Sequence, residues 1–150
     1  MVVTTGDNTG TIAITGRGHA AWRAGGLAAL IAATGSLVLY VAARLAGTDF
    51  HVTPAGAARG MDVNAVFVLI TIAVPILLGT LVLRALAGRA RAWSVLAWTG
   101  LALGLVTTVI PLTASADTSA RRTLAAMHVL TGAAWWYALR HDFHKPQRLS

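Results

Sequence analysis

The chain has 150 residues, of which 56% are hydrophobic and only 11% are charged, and its mean hydropathy is +0.68. A soluble domain carries about 25% charged residues, so a soluble fold of this length could not hide so much apolar surface from water. The net charge of +7 lies on scattered basic residues that form no basic face for nucleic acid, and the lack of cysteine excludes disulfides and thiolate metal sites.

The first 20 residues are rich in threonine and glycine, and they lack the early apolar stretch of a signal peptide. We predict that residues 1–20 form a disordered cytoplasmic tail and that residues 142–150 form a second cytoplasmic tail. Residues 21–141 then form a single transmembrane domain.

Four windows in this domain are free of acidic and basic side chains and approach the length of about 20 residues that a bilayer crossing requires. Helices built on these windows are predicted near residues 24–46, 63–86, 92–111 and 118–140. The pattern predicts an all-α membrane protein, a four-transmembrane-helix antiparallel bundle in the cytoplasmic membrane of a bacterium.

The basic residues predict the orientation of this bundle. With both termini inside (N-in/C-in), eight of the twelve Arg and Lys residues lie inside, as the positive-inside rule requires. The same orientation gathers most of the large aromatic side chains at the inner interface, namely Trp22, Trp93, Trp135, Trp136 and Tyr137.

Small residues mark two helix faces for close packing. Ala29 and Ala33 lie one turn apart on the first predicted helix, and Gly100 and Gly104 do so on the third. Small side chains let backbones approach where no hydrophobic effect drives association. We therefore expect these positions to contact neighbouring helices.

The fourth predicted helix carries a polar stripe. At 100° per residue, six residues fall within about 40° of one line, namely Asp117, Arg121, Leu124, His128, Thr131 and Trp135. Such a stripe is costly against lipid, so we expect it to face the bundle. Asp117 and His128 are the candidate acid–base groups.

Other helices carry polar residues at the same depth. Tyr40 and Arg44 lie near the outer end of the first helix, Asn64 opens the second, and Thr107 closes the third. With Thr131 they suggest an outer polar cluster that lines a pocket. Its arginines, whose forked side chains match phosphate, are candidates for binding a lipid or another anion, namely Arg44, Arg121 and Arg122.

Local explanations exist for the same residues. Asp117 suits the cap of a helix, because its carboxylate can accept hydrogen bonds from free N–H groups and favours the helix dipole. Asp117 and Arg121 also have the i,i+4 spacing of an ordinary surface pair. His128 could be a hydrogen-bonded structural residue.

The fourth helix and the turn before it resemble a family of small actinobacterial four-helix membrane proteins of unknown function. The resemblance is carried by Pro111-Leu112-Thr113, Asp117, Arg121, Leu124, Met127 and His128, and more weakly by residues 36–40. It implies four membrane spans and brings no known activity.

Three functions remain open at this level. The first is a protein that binds a membrane lipid, a partner membrane protein or another copy of itself through the outer polar cluster. The second is an enzyme acting on a lipid or isoprenoid, for example in terpene cyclisation, with Asp117 or His128 as acid–base group. The third is a subunit of an oligomeric transporter. We expect no cofactor and no metal ion.

Overall fold

The computed structural model describes residues 9–86 and 88–143, which are mostly helical. Two short strands and a short helix lie among four long helices. In chain order the elements are α1 (Thr9–Leu45), β1 (His51–Val52), β2 (Met61–Asp62), α2 (Ala65–Ala85), α3 (Ala90–Val106), α4 (Val109–Thr113) and α5 (Thr118–Phe143).

Three helical segments of the described chain are long and apolar enough to cross a membrane. They are Gly18–Leu45, Ala65–Ala85 and Arg91–Thr113. The predicted fourth span coincides with α5, whose 26 residues are sufficient in length but which carries arginines near both ends. These charges leave α5 less apolar than the other three segments.

The helix α1 begins earlier than the sequence predicts. The tail predicted over residues 1–20 is helical from Thr9 onwards, whereas residues 1–8 lie outside the described chain. Extending an existing helix by one residue costs far less than starting a new one, so the long apolar helix can carry its own extension. At the other end α5 reaches Phe143, and residues 144–150 are also outside the described chain.

The third predicted helix, over residues 92–111, is divided into α3 and α4. The division precedes Pro111, which has no N–H to donate to the carbonyl four residues earlier. The backbone tightens there, because Thr108 and Ile110 donate to carbonyls three residues back, at 3.2 and 3.1 Å.

The helix α5 is the centre of the bundle. It packs against α1 and α3, and α1 in turn packs against α2, whereas α2 and α3 scarcely touch each other. Its inward face carries several of the most deeply buried side chains, including Met127, Ala134, Trp135, Ala138 and Leu139. The bundle is therefore loosely closed on the side between α2 and α3.

Close approaches at glycine define two of these contacts. A Cβ on Gly104 of α3 would lie 2.8 Å from both the Gly132 Cα and the His128 carbonyl oxygen of α5, so the two backbones touch. A Cβ on Gly25 of α1 would clash with Thr80 of α2. Backbone contact of this kind is how small residues stabilise helix pairs without large side chains.

The most deeply buried face of α1 is rotated by about 100° from the predicted one. Ala28, Ala32 and Ser36 are fully buried, whereas Ala29 and Ala33 are half-buried at the edge of the contact. Their one-residue offset corresponds to about 100° on a helix, which a spacing of three to four residues alone does not resolve.

The long loop between α1 and α2 forms an ordered cap. Its strands β1 and β2 pair antiparallel, and Thr53 pairs with Ser115 from the turn before α5. Phe50 is 1% exposed, and its ring centroid lies 4.8 Å from that of Tyr40. We call this the hairpin end of the bundle, and it brings the end of α1 and the starts of α2 and α5 together.

Candidate functional site

A cavity of about 410 Å³ lies between α2, α3 and α5, and we call it the α2–α3 groove. Its walls are α2 and α3, its hairpin-end wall includes Ile110 of α4, and its floor is α5. The floor residues are Leu124, Met127, His128, Thr131, Gly132 and Trp135.

Trp135 explains why α2 and α3 stand apart. Its ring lies between Gly79 of α2 and Gly100 of α3. A Cβ added at Gly79 would lie 2.9 Å from the indole, and one added at Gly100 would lie closer still. The indole Nε1–H donates to the Leu96 carbonyl oxygen at 2.9 Å. One side chain therefore fills the space between the two helices and closes one end of the groove.

The groove is open along its side. Several of its wall residues are exposed, among them Thr71 and Pro75 of α2 and Thr99 and Leu103 of α3. The deeper wall is buried and aliphatic, with Ile72 as an example. An apolar molecule could thus enter from between the two helices without the bundle opening.

Among the described residues that line the groove, His128 is the only one with a titratable side chain. Its Nδ1 lies 2.8 Å from the Leu124 carbonyl oxygen one turn earlier. A carbonyl oxygen can only accept, so Nδ1 carries the proton in this contact and the neutral ring leaves a lone pair on Nε2. That Nε2 has no hydrogen-bond partner within the described residues.

Three of the groove's threonine hydroxyls donate to their own helices. Thr71 donates to Val68 at 2.9 Å, and Thr107 and Thr131 donate to carbonyls four residues earlier at 2.7 and 2.8 Å. Such bonds satisfy the hydroxyl protons locally. The groove is consequently almost apolar apart from His128.

The structure does not bring Asp117 to this groove. The Asp117 carboxylate accepts a hydrogen bond from the Ser119 hydroxyl at 2.6 Å, beside the start of α5. Eleven residues separate it from His128, which is about 16 Å along a helix. Asp117 and His128 therefore do not act on a common atom, and the helix-start interpretation fits Asp117.

Electrostatics at the start of α5 agree with this local role. The Ser119 hydroxyl, followed by the backbone N–H groups of Thr118 and Ser119 and the Arg121 charge, holds the pKa of Asp117 below its ordinary value. The Arg121 guanidinium donates to Thr118 Oγ1 at 3.2 Å. Among the described residues, Arg121 and Asp117 form no close ion pair.

The remaining candidates also lie away from the groove. Tyr40 donates its hydroxyl to the Val63 carbonyl oxygen at 3.2 Å, and Asn64 Oδ1 caps α2 by accepting from the Phe67 N–H at 2.9 Å. The two remaining candidate arginines, Arg44 and Arg122, are exposed. Of the predicted polar set, the groove gathers Thr107, His128 and Thr131, together with Gly100 and Gly104.

Sequence reasoning missed the groove itself and the role of Trp135. The sequence placed this tryptophan at the inner interface and also on the stripe expected to face the bundle, and the side chain, 6% exposed, does lie inside the bundle. The signal was present in the two glycines that face it, Gly79 and Gly100, because a large ring between helices requires missing side chains opposite. No three His, Cys, Asp or Glu side chains in the described chain are grouped to hold a metal ion.

Comparison with known proteins identifies one family. A family model described as a family of unknown function, DUF6069, matches residues 16–145. Neither a curated protein nor a solved structure matches the chain.

Proposed function

The chain belongs to the DUF6069 family of unknown function, and we propose that it is an integral membrane protein that binds the apolar chain of a lipid in the α2–α3 groove. The observation that carries this proposal is the combination of an almost apolar lining with an opening at the side of the bundle. A cavity of about 410 Å³ lies within the ~300–1,000 Å³ range of small-molecule sites.

The outer surface of the bundle supports a lipid environment for this opening. Large aliphatic side chains are exposed all along the helices, for example Leu30, Val66, Leu78 and Val106. In water such a surface would drive aggregation, whereas acyl chains solvate it. A groove that opens on this surface is filled from the bilayer rather than from the aqueous phase.

We also propose that α5 is a fourth span and that both termini lie in the cytoplasm of a bacterial cell. The helix α5 packs against α1 and α3, so it shares their depth, and its resemblance to four-span actinobacterial proteins supports the same assignment. Two arginines lie over tryptophans away from the hairpin end, Arg84 at 6.0 Å from the Trp22 centroid and Arg140 at 5.6 Å from that of Trp136. Tryptophan is typical of either membrane interface, and an excess of arginine is typical of the cytoplasmic one.

The enzyme and transporter alternatives gain no specific observation. Among the described residues the groove lining contains no Asp, Glu, Lys or Arg, so the carboxylic acid Asp117, proposed for terpene cyclisation, lies outside it. The two arginines expected to bind phosphate, Arg121 and Arg122, likewise lie outside the groove. Lipid-chain binding requires neither group.

Filling the groove should abolish chain binding. Thr71→Phe places a ring in the wall of the groove, and Thr34→Phe makes the same change at an exposed site of α1 outside it. Each protein is reconstituted with a phosphatidylcholine that carries a photoactivatable diazirine in its acyl chain, and labelled peptides are mapped by mass spectrometry.

We expect wild type and T34F to be labelled preferentially on the groove-lining peptides of α3 and α5, and T71F to lose most of this labelling there. Labelling spread evenly over all helix faces, or equal groove labelling of T71F and wild type, would contradict the proposal. Circular dichroism of the three proteins checks that each remains helical.

A further inference from the structure

We infer that the preferred occupant of the α2–α3 groove is a neutral chain that ends in a hydroxyl group, and that His128 Nε2 accepts the hydrogen bond of this hydroxyl. The inference rests on the proposed function and adds the class of lipid. Long-chain alcohols, prenyl alcohols and diacylglycerols share this chemistry.

The hydrogen bonding of His128 selects a donor. Because Nδ1 donates to the Leu124 carbonyl oxygen at 2.8 Å, Nε2 of the neutral ring is left as an unpartnered acceptor on a side chain that lines a mostly apolar groove. An ester or ether oxygen also only accepts, so it cannot bond with this nitrogen. A hydroxyl can donate to it, and in a site without water no solvent competes for that bond.

The charge of the lining selects a neutral head. Among the described residues no cationic side chain lines the groove, and the nearest arginine along the helix, Arg122, is six residues or about 9 Å from His128. Its neighbour Arg121 already donates to Thr118. A phosphate at the depth of His128 would lose its hydration without gaining a cation, whereas a hydroxyl loses much less.

The depth of His128 suits a headgroup of this small size. The residue lies ten positions after the start of α5, about 15 Å below the hairpin end. The floor beyond it continues through Thr131 to Trp135, which closes the groove. A hydroxyl held at His128 leaves its chain either along this floor or out through the side opening.

The test compares two probes that differ in a single proton donor. Wild-type protein is placed in nanodiscs of phosphatidylcholine, which has no O–H or N–H group, with a diazirine-bearing long-chain alcohol or the methyl ether of the same alcohol. Labelling of the groove peptides by the alcohol should exceed that by the ether about three- to tenfold, which corresponds to one net hydrogen bond.

Two variants assign this preference to His128. His128→Leu removes the acceptor at similar volume, so alcohol labelling should fall to the level of ether labelling while ether labelling is unchanged. His128→Gln keeps a carbonyl acceptor and should retain part of the preference. If H128L is labelled by neither probe, labelling of H128Q tests the inference instead. Equal labelling of H128Q by the alcohol and the ether then overturns it.

The outcomes separate the two proposals. If both probes label the groove of the wild type equally, or if H128L keeps the alcohol preference, the hydroxyl inference is wrong and the chain site remains. If neither probe nor the diazirine phosphatidylcholine labels the groove, the proposed function fails as well. If phosphatidylcholine labels the groove and excess alcohol does not compete, the preferred occupant is the acyl chain of a phospholipid and the inference is overturned.

Discussion

At the scale of single residues, most polar side chains in the described chain form hydrogen bonds with groups only a few residues away in sequence. Asp117 accepts from Ser119, Asn64 caps α2, and the groove threonines donate to their own helices. A shared helix face does not by itself make a site, because a nearby backbone group is available to almost every short polar side chain. His128 differs, since one of its nitrogens is bonded locally and the other, on a residue that lines the groove, has no partner among the described residues.

The pKa of Asp117 should depend on Ser119. The Ser119 hydroxyl is the largest cause of the lowered pKa, so Ser119→Ala should raise the Asp117 pKa towards its ordinary value of 3.8. The stability linked to the ionised carboxylate is present above the ordinary pKa and is lost as the pH falls through the lower, folded-state value.

Carboxyl chemical shifts of Asp117, followed by NMR between neutral and acidic pH, measure this change directly. Thr113→Ala is the matched control, because this hydroxyl donates within α4 at the same end of the bundle. An Asp117 titration that is the same in S119A and wild type would show that the hydroxyl does not stabilise the carboxylate.

At the scale of elements, helix contacts are set by missing side chains as much as by present ones. Gly104 and Gly132 bring α3 against α5, while Gly79 and Gly100 admit the Trp135 ring between α2 and α3. The first pair closes a helix contact and the second keeps one open. The groove results because one glycine of each pair lies on α3, and these two, Gly100 and Gly104, are on neighbouring turns.

A methyl group at Gly104 should loosen the contact between α3 and α5. Its Cβ would meet backbone atoms 2.8 Å away, which cannot move aside as a side-chain end can. We expect Gly104→Ala to reduce the free energy of unfolding by about 1–3 kcal/mol.

Gly26→Ala is the control, because its Cβ meets nothing within 4 Å and alanine favours a helix. Reversible unfolding in mixed detergent micelles, followed by circular dichroism, should leave this variant as stable as wild type or slightly more so. Equal stabilities of G104A and G26A would argue against the backbone contact.

The elements themselves could largely be predicted from the sequence, because long apolar segments have few alternatives to a helix. The segments over residues 63–86 and 118–140 correspond closely to α2 and α5. The hairpin over residues 51–62 could not be predicted, since its strands have two residues each and its anchor, Ser115, is distant in the chain. The groove depends on how far apart α2 and α3 stand, and no local pattern encodes that distance.

At the scale of the whole molecule, the loop between α1 and α2 and the turn before α5 lie at the same end of the bundle. The bridge between Thr53 and Ser115 ties the α1–α2 loop to the turn before α5. If α1 crosses the membrane, the alternation of directions carries α2, α3 and α5 across in turn. The ends of α2 and α5 then emerge together on the opposite side.

Cysteine labelling can establish this topology, because the natural chain has no cysteine. Single cysteines are introduced at four exposed sites, Ala58, Ala85, Thr118 and His141. In intact cells a membrane-impermeant maleimide should label A58C and T118C, whereas A85C and H141C should react only after permeabilisation.

The two sites on α5, T118C and H141C, test whether α5 is a fourth span. Labelling of T118C and H141C from the same side would show that α5 does not cross the membrane. Reaction of A85C and H141C, but not A58C and T118C, in intact cells would reverse the proposed orientation and keep the four spans.

The low apolarity of α5 bears on how the protein is made. Its arginines and His128 make entry into bare lipid expensive for this helix alone. Of the four long helices it leaves the ribosome last, after α1 and α3 have been synthesised. If α5 is a fourth span, its packing surfaces on α1 and α3 thus exist before it arrives, and the order of the segments compensates for its weak signal for membrane insertion.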